Sequence, residues 1–317
     1  MHGDEKPDHG GGVDAAVAKW GGQRDAWIDL STGINPLPYP VTDLPFRAWT
    51  TLPDQAAQEA LIAAARQFWS VPQQAAVLAA PGASALIARI PALRAPSQVQ
   101  IAQPTYNEHG RAFATAGWII SDQSSDTIVA VHPNNPDGRV LSVNGDFPKA
   151  EMVVIDESFC DIIPQYTMIE HAVKPGVIIL KSFGKFWGLA GLRLGFAIGD
   201  PRLLARLEQM MGPWPVSGPA LAVGTAALLD QDWATATRQR LAQDADRLDH
   251  LMIRAGASLV GGTPLFRLYD TDNAKSWQDR LAKRHIWSRI FPYSDRWLRL
   301  GIPGVPAEWD RLEAALG

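Results

Sequence analysis

The sequence predicts an α/β protein: a large, doubly wound, mostly parallel sheet domain followed by a small C-terminal α/β domain. Three observations predict it. From about Thr42 to Asp230, helix-like and strand-like stretches alternate, the pattern of parallel strands joined by crossover helices. Several strand-like runs, among them Met152 to Asp156 and Val177 to Leu180, are apolar at every position before the last residue or two rather than at every second one, as expected of strands covered on both faces. A long charged stretch, about Asp232 to Ala255 with Leu241, Leu248 and Leu251 on one side, reads as a helix leading into a final group of short elements.

Taken in order, residues 1–40 read as an N-terminal arm packing on the small domain and the active site. It holds Gly10 to Gly12, a helix-like run from Val13 to Trp20 and the extended WIDLSTGINPLPYP, too little apolar surface for a core of its own. Residues 41–230 form the large domain. Its Ala-rich helix runs from Gln55 to Phe68, and a strand from Ala76 to Ala79 leads through Pro81-Gly82-Ala83-Ser84 into a helix reaching about Leu93. Further strands are expected at Val99 to Ala102, Trp118 to Ile120, Ile128 to His132, Met152 to Asp156, Val177 to Leu180 and Arg193 to Ile198, with a helix from Gly218 to Leu229. Residues 231–317 form the small domain, with strands at Leu265 to Tyr269 and Trp297 to Leu300 and helices at Ala274 to Arg284 and Ala307 to Leu316.

Bulk properties narrow the function. The 317 residues are 46% hydrophobic and 20% charged with a formal net charge of -4, an ordinary soluble composition with no basic surface for nucleic acid. No apolar run approaches the roughly 18 residues a membrane helix needs, and the N-terminus lacks a signal-peptide core, so a cytoplasmic protein is expected. The single Cys160 permits no internal disulfide; beside Phe159 it is expected to be a buried small hydrophobe.

The chemistry collects at the ends of strands, where open α/β sheets bind ligands. Lys185 follows the apolar strand Val177 to Leu180 in a Gly-rich, otherwise apolar segment, KSFGKFWGLAGLRLG. An amine there is costly unless it is neutralised, paired or used covalently, which is the setting of a Schiff-base lysine. Ser182 and Arg193 flank it, a hydroxyl and a fixed cation suited to a phosphate. A P-loop is excluded, because Phe186 stands where Ser or Thr must follow the lysine. Pro81 to Ser84 offers backbone N–H groups and a hydroxyl at a helix start, although Ser84 serves equally as a plain N-cap. Tyr106 in Gln103-Pro104-Thr105-Tyr106 is by itself a packing ring, and His132 to Gly138 by itself a turn. Asp156 ends its strand after four apolar residues, where a carboxylate demands a cationic or N–H partner.

The order of these signals, GAS, PTY, NNPDG, DES, then SFGK with Arg193, resembles the active-site series of fold-type-I pyridoxal-phosphate enzymes, particularly the histidinol-phosphate aminotransferase branch. The resemblance spans nearly the whole chain and implies the fold-type-I PLP-dependent transferase fold, pyridoxal 5'-phosphate as cofactor, no metal, and a homodimer. It implies that Gly82, Ala83, Ser84, Ser182 and Arg193 hold the cofactor phosphate, that Tyr106 stacks on the ring and Asn135 bonds its hydroxyl, that Asp156 pairs with the ring nitrogen, and that Lys185 carries the cofactor. Two departures stand out: Phe159 replaces the usual Tyr of Asp-Glu-Ala-Tyr, and Leu52-Pro53 replaces a Tyr-Pro that reaches the partner subunit's cofactor phosphate.

Three stretches, DHGGGVDAA with Gly21-Gly22, WIDLSTGINPLPYP and SFGKFWGLAGLRLGFAIGD, are similar to the L-threonine-O-3-phosphate decarboxylase family of cobalamin biosynthesis. That likeness implies decarboxylation to (R)-1-aminopropan-2-yl phosphate, with a histidinol-phosphate or related aminotransferase as the alternative and a catalytically idle cofactor-fold module as a third, different class. Lys185 and Asp156 together argue against the idle module. The likeness also implies that Arg299, otherwise a surface cation on an edge strand, binds the substrate carboxylate. Arg289 and His9, with Arg24 as a weaker candidate, would take the substrate phosphate, and Gly33 and Asn35 would shape the pocket wall.

Overall fold

The computed structural model describes residues 10–41, 43–142 and 149–317. Contacts divide the chain into two compact units, one of residues up to Pro36 with Arg240–Gly317, the other Leu37–Gln239.

The second unit is built on a seven-stranded sheet. In spatial order its strands are Ala76–Ala80, Gly195–Gly199, Val177–Ser182, Met152–Asp156, Thr127–Val131, Gln98–Ile101 and Ile119–Ser121. The last five named pair in parallel, whereas Gly195–Gly199 runs antiparallel to both its neighbours. Burial follows the apolar pattern: every residue of Met152–Asp156 and Gly195–Gly199 is buried, Gln98–Ile101 alternates, and the edge strand Ile119–Ser121 has no buried residue. Leu78, Val99, Val129, Val154, Ile178, Leu180 and Ala197 pack on one side of the sheet with Leu86, Ile90, Phe113, Leu204 and Leu207.

The direction of each strand brings the site together. The carboxyl ends of Ala76–Ala80, Gln98–Ile101, Thr127–Val131, Met152–Asp156 and Val177–Ser182 all lie at one edge of the sheet. The reversed strand Gly195–Gly199 starts at that same edge, so Arg193, two residues before it, joins them. Arg193 itself takes a left-handed conformation, φ 53°, closing the short turn Ala190–Leu192.

Some elements differ from expectation. Pro91 ends the helix begun at Ala83 early, leaving Ala83–Ile87 and a 3-10 turn Ile90–Leu93. Arg193 precedes its strand rather than opening it. Two helices that the residue pattern did not announce, Asn107–Thr115 and Pro201–Met211, also belong here.

The first unit carries a four-stranded antiparallel sheet, Arg289–Phe291, Ser294–Gly301, Phe266–Asp270 and Ser258–Thr263 in spatial order. The N-terminal segment adds Ile28–Asp29 in parallel to Ile286–Trp287, and Gly301 N–H donates to the Leu30 carbonyl at 2.7 Å. The helix Gln231–Arg254 is tied to this sheet by Asp249, which accepts a bidentate pair from Arg267 at 3.0 and 2.6 Å and the Tyr269 hydroxyl at 2.7 Å.

Candidate active site

At the carboxyl edge of the large sheet lies a cavity of about 640 Å³, counting the space at its mouth. Ala83, Ser84, Tyr106, Asn135, Asp156, Ser182, Lys185 and Arg193 line it, along with Ser158, Phe159 and Gly184.

Lys185 is presented by a turn that its own neighbours fix. Phe183, Phe186 and Trp187 are fully buried. Phe183 stacks on Trp187 at 5.0 Å and Trp187 on Trp233 at 5.3 Å. Backbone bonds from Gly188 to the Lys185 carbonyl and from Leu189 to the Phe183 carbonyl close the turn. The lysine amine stands 5.3 Å from the centroid of the Phe159 ring.

Asp156 is 2% exposed. One carboxylate oxygen meets His109 Nε2 at 2.8 Å, and the other accepts the Ser158 N–H at 3.0 Å and the Ser158 hydroxyl at 2.5 Å. Burial by itself raises the carboxyl pKa, but the hydrogen bond and charge of His109 and the two bonds from Ser158 outweigh it, holding Asp156 below the usual carboxylate range. Asp156 is thus an ionised acceptor inside the protein, suited to a protonated ring nitrogen. Tyr106, three residues before His109 and edge-on to it at 6.1 Å, has its phenol pushed up to about 12 by burial and by Asp156.

The anion-binding side is shaped by close approach. Gly82 has φ +86°, and a Cβ there would lie 2.6 Å from Arg193 Nη2; a Cβ on Gly195 would lie 2.4 Å from the Ala83 backbone nitrogen. Neither position tolerates a side chain without displacing the guanidinium or the helix start. Ser182 Oγ accepts the Gly184 N–H at 3.3 Å, and Arg193 donates to the Ala190 carbonyl at 3.0 Å. In the Asn134-Asn135 pair the labour is divided. Asn134 builds the turn, donating to the Pro104 carbonyl and Asp137 and accepting from Thr105, while Asn135 lines the cavity.

The donor set fits pyridoxal phosphate: hydroxyls, backbone N–H groups and a guanidinium at a glycine cradle for the phosphate, an ionised carboxylate for the ring nitrogen, and an amine for the aldehyde. His109 and Ser158 belong to this set, and the residue pattern did not single them out. His109 and Phe113 are the only fully buried residues of their helix and lie four apart, and that spacing was the signal available.

The remaining predicted residues that the structure describes lie in the first unit. Arg299 is on an inner strand, not an edge, and is 5% exposed. Its Nη2 donates to the Ser31 carbonyl at 2.7 Å, and its guanidinium lies 5.2 Å from the Phe266 ring. Burial and then the charge of Arg289 bring its pKa down to about 10. Arg289 sits directly opposite Arg299 in the strand register, and like charges so placed are unfavourable without an anion to share. Gly33 is buried, and Asn35 Oδ1 accepts from Arg240 at 2.7 Å. Arg24 is exposed against Asp14 at 3.4 Å. His9 lies outside the described residues.

A second buried cluster backs the site. Lys181 Nζ bonds Glu157 at 2.6 Å and Asp161 at 3.4 Å. Thr167 and the Met168 N–H also bond Glu157, and the indoles of Trp69 and Trp187 bond Asp161. His132, Glu157 and Cys160 approach closely enough to hold a metal, but their donor atoms are already committed. His132 Nδ1 accepts the Leu141 N–H and Nε2 meets the Tyr166 carbonyl. Cys160 is fully buried, and burial and Glu157 push its thiol far above the ordinary range, the inert setting expected of it.

Among the described residues no helix is long and apolar enough to cross a membrane. The family model for aminotransferase class I and II matches residues 118–315. A threonine-phosphate decarboxylase of Sinorhizobium sp is 37% identical, covering 97% of this chain and 97% of its own length. That of Pseudomonas aeruginosa is 36% identical over 98% and 97%. Among solved structures, the histidinol-phosphate aminotransferase of Sinorhizobium meliloti in complex with pyridoxal-5'-phosphate superposes with a TM-score of 0.78 at 20% identity, covering 98% of this chain and 94% of its own. The L-threonine-O-3-phosphate decarboxylase of Porphyromonas gingivalis gives 0.73 at 18%, covering 91% and 98%.

Proposed function

The chain belongs to the aminotransferase class I and II family, in its threonine-phosphate decarboxylase branch, and we propose that it removes carbon dioxide from L-threonine O-3-phosphate to give (R)-1-aminopropan-2-yl phosphate for cobalamin biosynthesis. The observation that carries the proposal is one cavity that gathers Lys185, ionised Asp156 and the Ser182–Arg193 pair, in a chain alike over 97% of its length to a decarboxylase.

Enzymes of this family use pyridoxal phosphate, which when bound supplies the electron sink for the bond broken at the substrate's Cα. The protein's residues do the rest. Gly82, Ala83, Ser84, Ser182 and Arg193 would hold the phosphate, Tyr106 would offer its ring face, and Asn135 would hydrogen-bond the ring hydroxyl. Asp156, kept charged by His109 and Ser158, holds a proton on the ring nitrogen. Lys185 would hold the coenzyme through its amine, and its ammonium would deliver a proton to Cα. Arg299 would take the substrate carboxylate and Arg289 and His9 its phosphate, with Gly33 and Asn35 the candidates for shaping the pocket beside the substrate.

The reading extends to a cytoplasmic homodimer. Phe46, Trp49 and Leu52 are exposed at 79%, 66% and 67%. Pro45, Arg47, Ala48 and Leu52 line a groove with the helix Gly218–Leu229, whose only polar side chain is Thr225, a surface suited to a second copy.

An aminotransferase needs a keto-acid acceptor to turn over, and a decarboxylase does not. Purified protein loaded with pyridoxal phosphate and given L-threonine O-3-phosphate alone is therefore expected to turn over many times, the aminopropanol phosphate being read by proton NMR. One equivalent of product at most, with continued turnover only when a keto acid is added, would favour the aminotransferase. Arg299→Ala is expected to raise KM at least about tenfold, the loss of a charge-assisted pair, while the Kd for pyridoxal phosphate moves less than about threefold. An unchanged KM would remove Arg299 from its role.

A further inference from the structure

Phe159 is 5% exposed and lines the cavity with its ring toward the amine of Lys185, 5.3 Å from the ring centroid to Nζ. Its position is fixed from both sides. Before it, Ser158 is bonded to Asp156 through both N–H and hydroxyl. After it, the turn Cys160–Ile162 carries Asp161, which Trp69, Trp187 and Lys181 clamp. The ring face is therefore a rigid feature of the cavity. An aromatic face attracts an ammonium and has no comparable affinity for a neutral amine, so this contact favours the protonated form of Lys185.

The two reactions open to this family make opposite demands on that amine. Transamination begins when a base takes the Cα proton. Decarboxylation breaks the bond from Cα to the carboxylate carbon, leaves its electron pair behind as carbon dioxide departs, and must then receive a proton at Cα. In the second case the N–H bond of the ammonium breaks, a Cα–H bond forms and the amine is left neutral.

The geometry points to Phe159 as a positioning residue whose ring face holds the Lys185 amine in its protonated, proton-donating form. The inference deepens the decarboxylase reading and rests on it for the direction of proton transfer. The ionisable groups lining the same cavity are Asp156, Tyr106 and Arg193. Behind Phe159, Glu157 and Asp161 are engaged by Lys181. None of these changes when the ring alone is replaced.

The test titrates Lys185 in the cofactor-stripped full-length protein, reading by mass spectrometry the pH dependence of its acylation. In Phe159→Leu the midpoint is expected to fall by about 0.5 unit, which corresponds to about 0.7 kcal/mol. Phe159→Met serves the same purpose if the leucine variant fails to fold. Phe159→Tyr, which keeps the face, is expected to stay within about 0.2 unit of the parent in this cofactor-free measurement. In loaded enzyme, the number of decarboxylations completed per cofactor lost as its amine form is expected to drop about threefold in the leucine variant. A midpoint unmoved in both the leucine and methionine variants overturns the proposal. The titration needs no substrate, so a moved midpoint in a protein that releases no carbon dioxide from L-threonine O-3-phosphate overturns the functional reading, and the direction of proton transfer with it, but not the contact.

Discussion

Lys185→Ala is expected to abolish turnover, lowering kcat by ~10⁴-fold or more, since both the covalent anchor and the proton-transfer group are lost. The same variant should lose the visible absorbance band of the bound cofactor and release pyridoxal phosphate on dialysis. Far-UV circular dichroism should be unchanged, because the turn around Lys185 is held by Phe183, Phe186 and Trp187 and by backbone bonds, not by its amine. A variant that keeps the band and a tenth of parental activity would show that another amine carries the cofactor.

Lys181, four residues earlier, predicts the opposite outcome. It is 1% exposed and is the cation shared by buried Glu157 and Asp161. Lys181→Met leaves two carboxylates facing each other without it. Removing one partner of such a group costs about 3–5 kcal/mol, to be read as a lowered midpoint of urea unfolding. Burial lowers the lysine pKa, but Glu157, Asp161 and Cys160 more than reverse this, leaving it raised. A raised folded-state value means that its stabilisation is complete below the ordinary lysine range and fades only as pH climbs through the folded value. The loss should therefore be fully present at neutral pH. Whatever enzyme remains folded should still bind cofactor, and an unchanged unfolding midpoint would contradict the ion-pair account.

The places of these two lysines in the fold were not equally legible in the sequence. Lys185 was legible because it follows a strand end in a Gly-rich turn, with Ser182 and Arg193 at fixed offsets. Asp156 was legible because a carboxylate closing a wholly apolar strand requires a partner. Lys181 gave no such sign. It lies within the strand Val177–Ser182, and its partners come from beyond another strand, Glu157 just after Met152–Asp156 and Asp161 in the turn Cys160–Ile162. The parallel sheet followed from runs buried on both faces, but the reversal of Gly195–Gly199 did not, because strand direction leaves no trace in an apolar pattern. That reversal is what carries Arg193 to the edge where Ser84 and Ser182 stand. His109 was hidden for another reason: Asn107–Thr115 contains Gly110 and buries only His109 and Phe113, and so short an apolar stripe concealed the helix that holds Asp156 in place. Conversely, the repeated Asn in Asn134-Asn135 reads from sequence as a single turn. Only the hydrogen bonds separate the residue that builds the turn from the one that lines the cavity.

Decarboxylation requires that the bond broken in this cavity be the one to the carboxylate carbon. Carboxyl-labelled L-threonine O-3-phosphate tests it most directly. The account predicts one labelled carbon dioxide for every molecule of 1-aminopropan-2-yl phosphate formed, through repeated turnovers without a keto acid. Label retained in a phosphorylated keto acid, with the cofactor left as its amine, would contradict it.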